Sequence, residues 1–258
     1  VKLQFTKYQA TGNDFVLVDN RNGNINLSID QIKQICDRRF GIGADGLMLI
    51  EKHPTLDFNL VYYNSDGTQS LCGNGSRAAV NMARSLGIVN GKARFNAYDG
   101  AHEAEIDNGI VKFRLSDVAV DGNSDFINTG SPHVIRFVNN LENYKIFDEG
   151  RAIRYERNAN VNFVELLDNN KIYVRTYERG VENETLSCGT GVTASALAAY
   201  FKGYTSPVAI KTQGGELSVQ FTATEPGQAS QSSGHTVTFR DIFLIGPAKM
   251  VFQGDLEL

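Results

Sequence analysis

Cysteine is scarce in this chain of 258 residues: there are three, Cys36, Cys72 and Cys188. So sparse and odd a set excludes the disulfide scaffold of a small secreted domain. It points instead to the cytoplasm, where thiols stay reduced and available for chemistry. Long apolar runs are also missing. No stretch approaches the roughly 20 residues that carry a helix across a bilayer. The opening VKLQFTKYQATGNDF is broken by charge and reads as neither signal peptide nor anchor. Basic charge is not in excess: the net charge is −4 and there is no basic stripe, so nucleic acid is not an expected partner. Histidine is equally thin. His53, His102 and His235 are isolated and read as surface residues, and the cysteines lack the ligand spacing of a zinc site, so no metal is expected. Two glycine-rich segments are negative signals. CGTGVT (188–193) lacks the lysine of a phosphate loop, and GIGADG (41–46) follows a helical pattern and precedes a strand, the reverse of a dinucleotide fingerprint.

What remains is an ordinary globular composition, 41% apolar and 21% charged. The length suits two domains of about 120 residues each. Short runs rich in β-branched and aromatic residues dominate: DFVLVDN (14–20), GLMLIE (46–51), DFNLVYYN (57–64), GIVKFRL (109–115), NVNFVEL (160–166), KIYVRTYE (171–178) and HTVTFR (235–240). Helical patterns are few. One spans 28–40, with Ser28 or Asp30 as its cap. The others, 77–86 and 192–201, each follow a Cys-Gly-x-Gly.

Aligned on Cys72 and Cys188, the chain repeats itself. TGNDFVLV (11–18) stands opposite TGSPHVIRF (129–137), DGLMLIE opposite NVNFVEL, DFNLVYYN opposite KIYVRTYE, and ARFNAYDGAHEAEI (93–106) opposite VAIKTQGGELSV (208–219). Five features recur in one order, which predicts two similar halves, 1–117 and 118–245, with a closing segment of about 246–258 that is a candidate to return to the first. The 192–201 helix has no charged face, and a helix apolar all round is buried all round. Its counterpart carries Arg77, Asn81 and Arg84 on one side. The expected fold is α+β: two pseudo-symmetric domains, each a bent, mostly antiparallel sheet wrapped round a central helix.

A cysteine at a helix start sits beside unpartnered N–H groups and a partial positive charge, both of which favour an anion. The glycines at 73, 75, 189 and 191 are read as letting a ligand approach the backbone. A free thiol ionises near about 8.5, and a favourable helix terminus gives up to ~2 kcal/mol, roughly 1.5 pKa units. One thiolate and one thiol is the state that a two-base racemase requires. The thiolate removes an α-proton from one face and the thiol returns a proton to the other, while helix N–H groups hold the charge spread onto the carboxylate. This scheme calls for no cofactor. Cys36, inside an amphipathic helical pattern, is read as core. His133 is open at this point between a structural role and tuning of a nearby thiol.

The segments TGNDF (11–15), GIGADG (41–46), NSDG (64–67), CGNGSR (72–77), GSPH (130–133), NVNF (160–163), YERG (177–180) and ETLSCGTG (184–191) closely resemble diaminopimelate epimerase. They span nearly the whole chain in the family's order. The resemblance implies interconversion of LL- and meso-diaminopimelate without a cofactor, in lysine and peptidoglycan-precursor synthesis, and commonly by a homodimer. Carried over motif by motif, it makes Cys72 and Cys188 the acid–base pair. Gly73, Asn74, Gly189 and Thr190 hold the reacting carboxylate through their backbone. Asn13, Asn64, Asn160, Glu178 and Arg179 contact the amino-acid substrate, several at its distal end, and His133 and Glu178 lie near the thiols and tune them. A distal zwitterion suits such a set, since burying unpaired charge is expensive.

Departures from the family pattern cluster near the thiols. The loop from Gly67 to Cys72 is one residue short, Ser131 replaces a frequent asparagine, the stretch from Arg179 to Cys188 is one residue long, and Ala78 stands where a non-catalytic cysteine is frequent. Three alternatives remain at this stage. A two-thiol racemase of proline or hydroxyproline keeps both cysteines but not the distal set. An isomerase of the phenazine-biosynthesis type shares the fold without this cysteine pair. A carboxylate-binding module survives the loss of both thiols.

Overall fold

The computed structural model describes residues 2–224 and 236–257. His235, and with it the start of the expected 235–240 run, lies outside the described residues. The chain divides into two compact units, Val1–Phe113 with Gly246–Leu258, and Arg114–Ile245. Among the described residues no helix is long and apolar enough to cross a membrane.

The first unit begins with β1 (Lys2–Ala10) and β2 (Asn13–Asp19), an antiparallel pair turned at Thr11 and Gly12, both at positive φ. Then α1 (Ile29–Cys36) leads to β3 (Gly46–Glu51), parallel to β2. Ser28 caps α1 in a reciprocal arrangement with Gln31, which resolves the choice of cap; the helix ends at Cys36, well short of residue 40. β4 (Phe58–Asn64) returns antiparallel, and α2 (Gly73–Ser85) leads to β5 (Lys92–Ala97), parallel to β4. β6 (Gly100–Asp107) and β7 (Ile110–Arg114) follow as antiparallel neighbours. β3 is a run of apolar residues because both its faces are covered. Leu47 and Leu49 pack with Ile32, Ile35 and Cys36 of α1, so Cys36 is a core residue. Met48 points the other way, against Gly75 of α2.

The second unit runs through β8 (Val118–Asp121), β9 (Phe126–Asn128) and β10 (Pro132–Phe137), then α3 (Ile146–Arg157) and β11 (Asn160–Leu167), parallel to β10. β12 (Lys171–Glu178) is antiparallel to β11, and β13 (Asn183–Thr185) folds back on it. After α4 (Gly189–Tyr200) comes β14 (Val208–Thr212), parallel to β12, with β15 (Gly215–Thr224) and β16 (Thr236–Pro247) antiparallel beyond. The pairing order of the first unit thus recurs step by step. A helix enters between the parallel strands at the same two places in each. α4 is buried from Gly191 to Ala199 and packs against β9, β10, β11, β12, β14 and β15. Finally β17 (Lys249–Glu257) pairs antiparallel with β1, from Lys2 opposite Glu257 to Gln9 opposite Lys249.

The sequence pattern missed α3. Only Ile146 and Gly150 of that helix are buried, and its exposed surface carries arginines and acids. Arg77 corrects a second reading. It is not on a polar side of α2 but fully buried, whereas Arg84 is exposed and Asn81 donates to the Ala248 carbonyl at 2.6 Å.

Candidate active site

Cys72 is the N-cap of α2, in extended conformation (φ −127°, ψ 110°), and its Sγ accepts from the Gly75 N–H at 3.4 Å. The thiol donates to Asn13 Oδ1 at 3.7 Å, and Asn74 Nδ2 donates to the same oxygen at 3.3 Å. Asn13 is held in turn, because its amide donates to Asp45. Asp45 and Asp14 are bound by Arg38, and Asp14 also pairs with the buried Lys7. Burial alone raises the Asp14 pKa, but hydrogen bonds from Arg38 and Lys7 win and hold it at about 2. Lys7 also donates to the Gly43 carbonyl, which gives GIGADG a role in fastening this cluster rather than in binding a nucleotide. Asn64, half-buried, donates to the Thr68 carbonyl and hydroxyl and to Ser70, so its amide shapes the short loop before Cys72.

Arg77 lies one and a half turns into the same helix. Its Nη1 donates to the Gly73 carbonyl at 3.4 Å and its Nη2 to Thr11 Oγ1 at 3.2 Å. Burial lowers its pKa to about 10, with the Cys72 sulfur acting in the opposite sense. The residue stays charged at neutral pH.

Cys188 occupies the matching place, as the extended N-cap of α4 (φ −117°, ψ 113°). It is buried, and its Sγ lies 3.6 Å from Thr190 Oγ1. That hydroxyl is 3.0 Å from Ser131 Oγ and 2.9 Å from His133 Nε2, and Ser131 Oγ is itself 2.9 Å from His133 Nε2. Asn13 and Ser131 follow the two Thr-Gly turns at equal distance, and Asn74 and Thr190 follow the two cysteines likewise. Each half therefore builds the same chain of contacts with different side chains.

The tautomer of His133 follows from Asn162. The Asn162 Oδ1 accepts from Thr176, and its Nδ2 donates to the Val134 carbonyl, so its Nδ2 also donates to His133 Nδ1 at 3.0 Å. The ring proton is then on Nε2, directed at Ser131 and Thr190. Burial, with a smaller contribution from the Arg179 charge, lowers the His133 pKa to about 3. Asn160 ties down the neighbouring backbone, donating to the Pro132 carbonyl and accepting from the Arg179 N–H at 2.9 Å. Glu178 is half-buried and accepts from Thr185, while the exposed Arg179 guanidinium donates to the Asn158 carbonyl.

Two of the four glycines beside the cysteines are also required by packing. A Cβ on Gly75 would lie 2.0 Å from Met48 Cε, and one on Gly191 would lie 2.3 Å from Asn162 Oδ1. Both let a central strand press against the start of the helix. The histidines read as surface residues are also engaged. His102 bonds Asp99 and lies against Phe95 and Phe113, and His53 Nδ1 accepts from the Thr55 and Leu56 N–H groups. Among the described residues no three His, Cys, Asp or Glu side chains cluster to hold a metal ion. Sequence reasoning did not reach Arg77, Asp45 or Asn162. Its own alignment held a clue to the first, because Arg77 falls opposite Thr193 of a helix expected to be buried on all sides.

Comparison with known proteins brings these features together. The family model described as diaminopimelate epimerase matches residues 5–117 and 126–236. A curated diaminopimelate epimerase of Flavobacterium psychrophilum is 44% identical, covering 97% of this chain and 99% of the relative. Among solved structures, a phenazine biosynthesis protein of the PhzF family from Bacillus anthracis superposes with a TM-score of 0.71 at 16% identity, covering 100% of both chains. A hydroxyproline epimerase from Agrobacterium vitis, solved with trans-4-hydroxy-L-proline, gives 0.70 at 12% identity, covering 100% of this chain and 93% of that one. At such identities the two structures speak for the fold alone.

Proposed function

The chain belongs to the diaminopimelate epimerase family, and from this we infer that it is an isomerase that epimerises diaminopimelate, with Cys72 and Cys188 as its acid–base pair. The observation that carries the mechanistic part is the duplicated half-site. Each unit presents one thiol as the N-cap of a buried helix, beside first-turn N–H groups that have no carbonyl of their own helix to bond. In our reading, the backbone of Gly73, Asn74, Gly189 and Thr190 receives the α-carboxylate. One cysteine, as thiolate, takes the α-proton and becomes a thiol. The electron pair left on carbon spreads into the carboxylate, where the N–H donors stabilise it; one such donor is worth about 3 kcal/mol in a transition state. The other cysteine gives its proton to the opposite face and becomes the thiolate. Protons balance, and the pair ends with its roles exchanged.

Asn64, Asn160 and Arg179 are the groups we assign to the distal amino-acid end. That end separates this substrate from proline or hydroxyproline, which have nothing to offer such a set. Asn13, His133 and Glu178 we assign to orienting or tuning the thiols. A homodimer and a cytoplasmic location are part of the proposal. The dimer is supported by the exposed Met250, Val251 and Phe252 on β17.

The test is incorporation of solvent deuterium at the α-carbon of diaminopimelate, followed by NMR with reduced protein. Exchange is expected at both stereoisomers, and its absence overturns the reading. Cys72→Ser and Cys188→Ser are each expected to lower turnover by about 10²–10⁴-fold. A carboxylate-binding module would lose little by either change.

A further inference from the structure

The two half-sites match in layout but not in charge. We propose that Arg77 is a positioning residue whose buried guanidinium holds Cys72 as the thiolate in the resting protein, leaving Cys188 as the thiol. The proposal rests on the reading of the two cysteines as an acid–base pair and adds which member carries the charge.

Arg77 is fully buried, and among the described residues it has no carboxylate partner. Its Nε has no hydrogen-bond partner either. Burying a guanidinium this way is costly unless another negative group answers it. Its two fastenings hold it near the start of α2. Nη1 is tied to Gly73, the residue after Cys72. Nη2 is tied to Thr11, two residues before Asn13, whose Oδ1 lies 3.7 Å from the Cys72 sulfur; ionisation gives up that long contact, while the Gly75 N–H goes on donating to the sulfur. A nearby cation favours the ionised form of a thiol.

Other charges on the strands packed against α2 are committed or exposed. Lys7 and Arg38 pair with Asp14 and Asp45, Lys2 with Asp255, Asp19 with Arg21, and Glu103 with Arg94. Glu51 accepts from Asn20 and Asn59, and His102 bonds Asp99. Tyr8 is pushed above the usual phenol range by burial, and Tyr62 and Tyr63 on β4 are the other phenols. Glu105, Asp107, Lys249 and Glu257 are exposed.

In the second unit the position equivalent to Arg77 is Thr193, also fully buried. It donates to the Gly189 carbonyl at 2.9 Å, the same helical carbonyl that Arg77 uses at Gly73, but it brings no charge. His133 is neutral there. On the strands around α4, Arg136 pairs with Glu149, Arg175 with Glu184, Lys211 with Glu142 and Glu216 with Lys171, and Glu165 accepts from Asn140 and Leu141. Tyr173 and Tyr177 are held neutral by burial. Glu178 bonds Thr185, and Arg179 is exposed. The duplication therefore kept the geometry of two thiols and placed a buried cation behind one.

The experiment is alkylation by iodoacetamide without substrate, across pH, read cysteine by cysteine by peptide mass spectrometry. Cys36, whose pKa burial pushes up to about 11, serves as an unreactive internal control. In the unaltered protein the alkylation midpoint of Cys72 is expected below that of Cys188. Arg77→Met is expected to raise the Cys72 midpoint by about one unit or more, a tenfold loss of reactivity at fixed acidic pH, without moving Cys188. Arg77→Lys keeps most of the low midpoint, and the acidic limb of kcat/KM follows Cys72 in each variant. A Cys72 midpoint above that of Cys188, or one unmoved in Arg77→Met, overturns the proposal. Should Arg77→Met fail to fold, the order of midpoints in the unaltered protein decides alone. The assay needs no turnover, so the inference can fail while deuterium exchange still succeeds.

Discussion

His133 is a buried imidazole whose two nitrogens are both spoken for, one accepting from Asn162 and the other directed at Ser131 and Thr190. In the unfolded chain it ionises near about 6.5, whereas in the fold its pKa is about 3. Between those values the unfolded chain binds the extra proton. The stabilisation is therefore complete above about pH 6.5 and is lost as pH falls towards 3. Denaturant unfolding at pH 7.5 and pH 5 is expected to show a pH-dependent loss that is smaller in His133→Asn by roughly 2 kcal/mol. An equal loss in both proteins would mean that the histidine is not the sensor. The sequence held both readings of this residue open. Its motif pointed to the neighbourhood of a thiol without saying which, and neither the tautomer nor the link to Cys188 through Thr190 is visible without the partner strand that carries Asn162. Arg77 was harder still. A lone arginine in a helix reads as a solvated face, and only burial reveals otherwise.

At the scale of elements, the two helix starts test how closely a strand must pass. In Gly191→Ala the new methyl meets Asn162 Oδ1, an atom fixed by bonds to Thr176, His133 and Val134 through its side chain. In Gly75→Ala it meets the end of the flexible Met48 side chain. Alanine gains roughly 1 kcal/mol over glycine in a helix, and a core clash with a fixed group costs about 1–3 kcal/mol. Gly75→Ala is expected to fall within about 1 kcal/mol of the unaltered protein, and Gly191→Ala to be clearly less stable in thermal melts. Equal effects would show that Asn162 yields as easily as Met48. α4 was legible because its burial is written as an unbroken apolar or small-residue surface, and α2 because it aligns with α4 behind a second Cys-Gly-x-Gly. α3 was not, since it buries little beyond Ile146 and Gly150. Yet the duplication implied it: α1 stands between β2 and β3, so a helix is due between β10 and β11. The short β8, β9 and β13 carry too few residues for any period to show.

At the scale of the whole molecule, the repeated order of motifs made the two-unit α+β architecture legible, because each unit reproduces the same strand pairings. The closing strand was less so, since pairing with a strand at the far end of the chain leaves no local mark. β17 covers β1, and Gly254 packs against Phe5 so closely that a Cβ there would lie 2.9 Å from the ring. A chain ended at Pro247 is expected to lose amide protection in β1 and β2 under hydrogen exchange while keeping it in β11, β12 and α4. Uniform loss, or none, would contradict the division into units. The second unit is continuous in sequence, whereas the first is split by it. On the ribosome, where chains emerge at roughly 5–20 residues per second and domains usually complete from the N-terminus onward, the order here is inverted. The unit begun first is sealed last, and its β1 edge waits unpaired until the whole of the other has been synthesised.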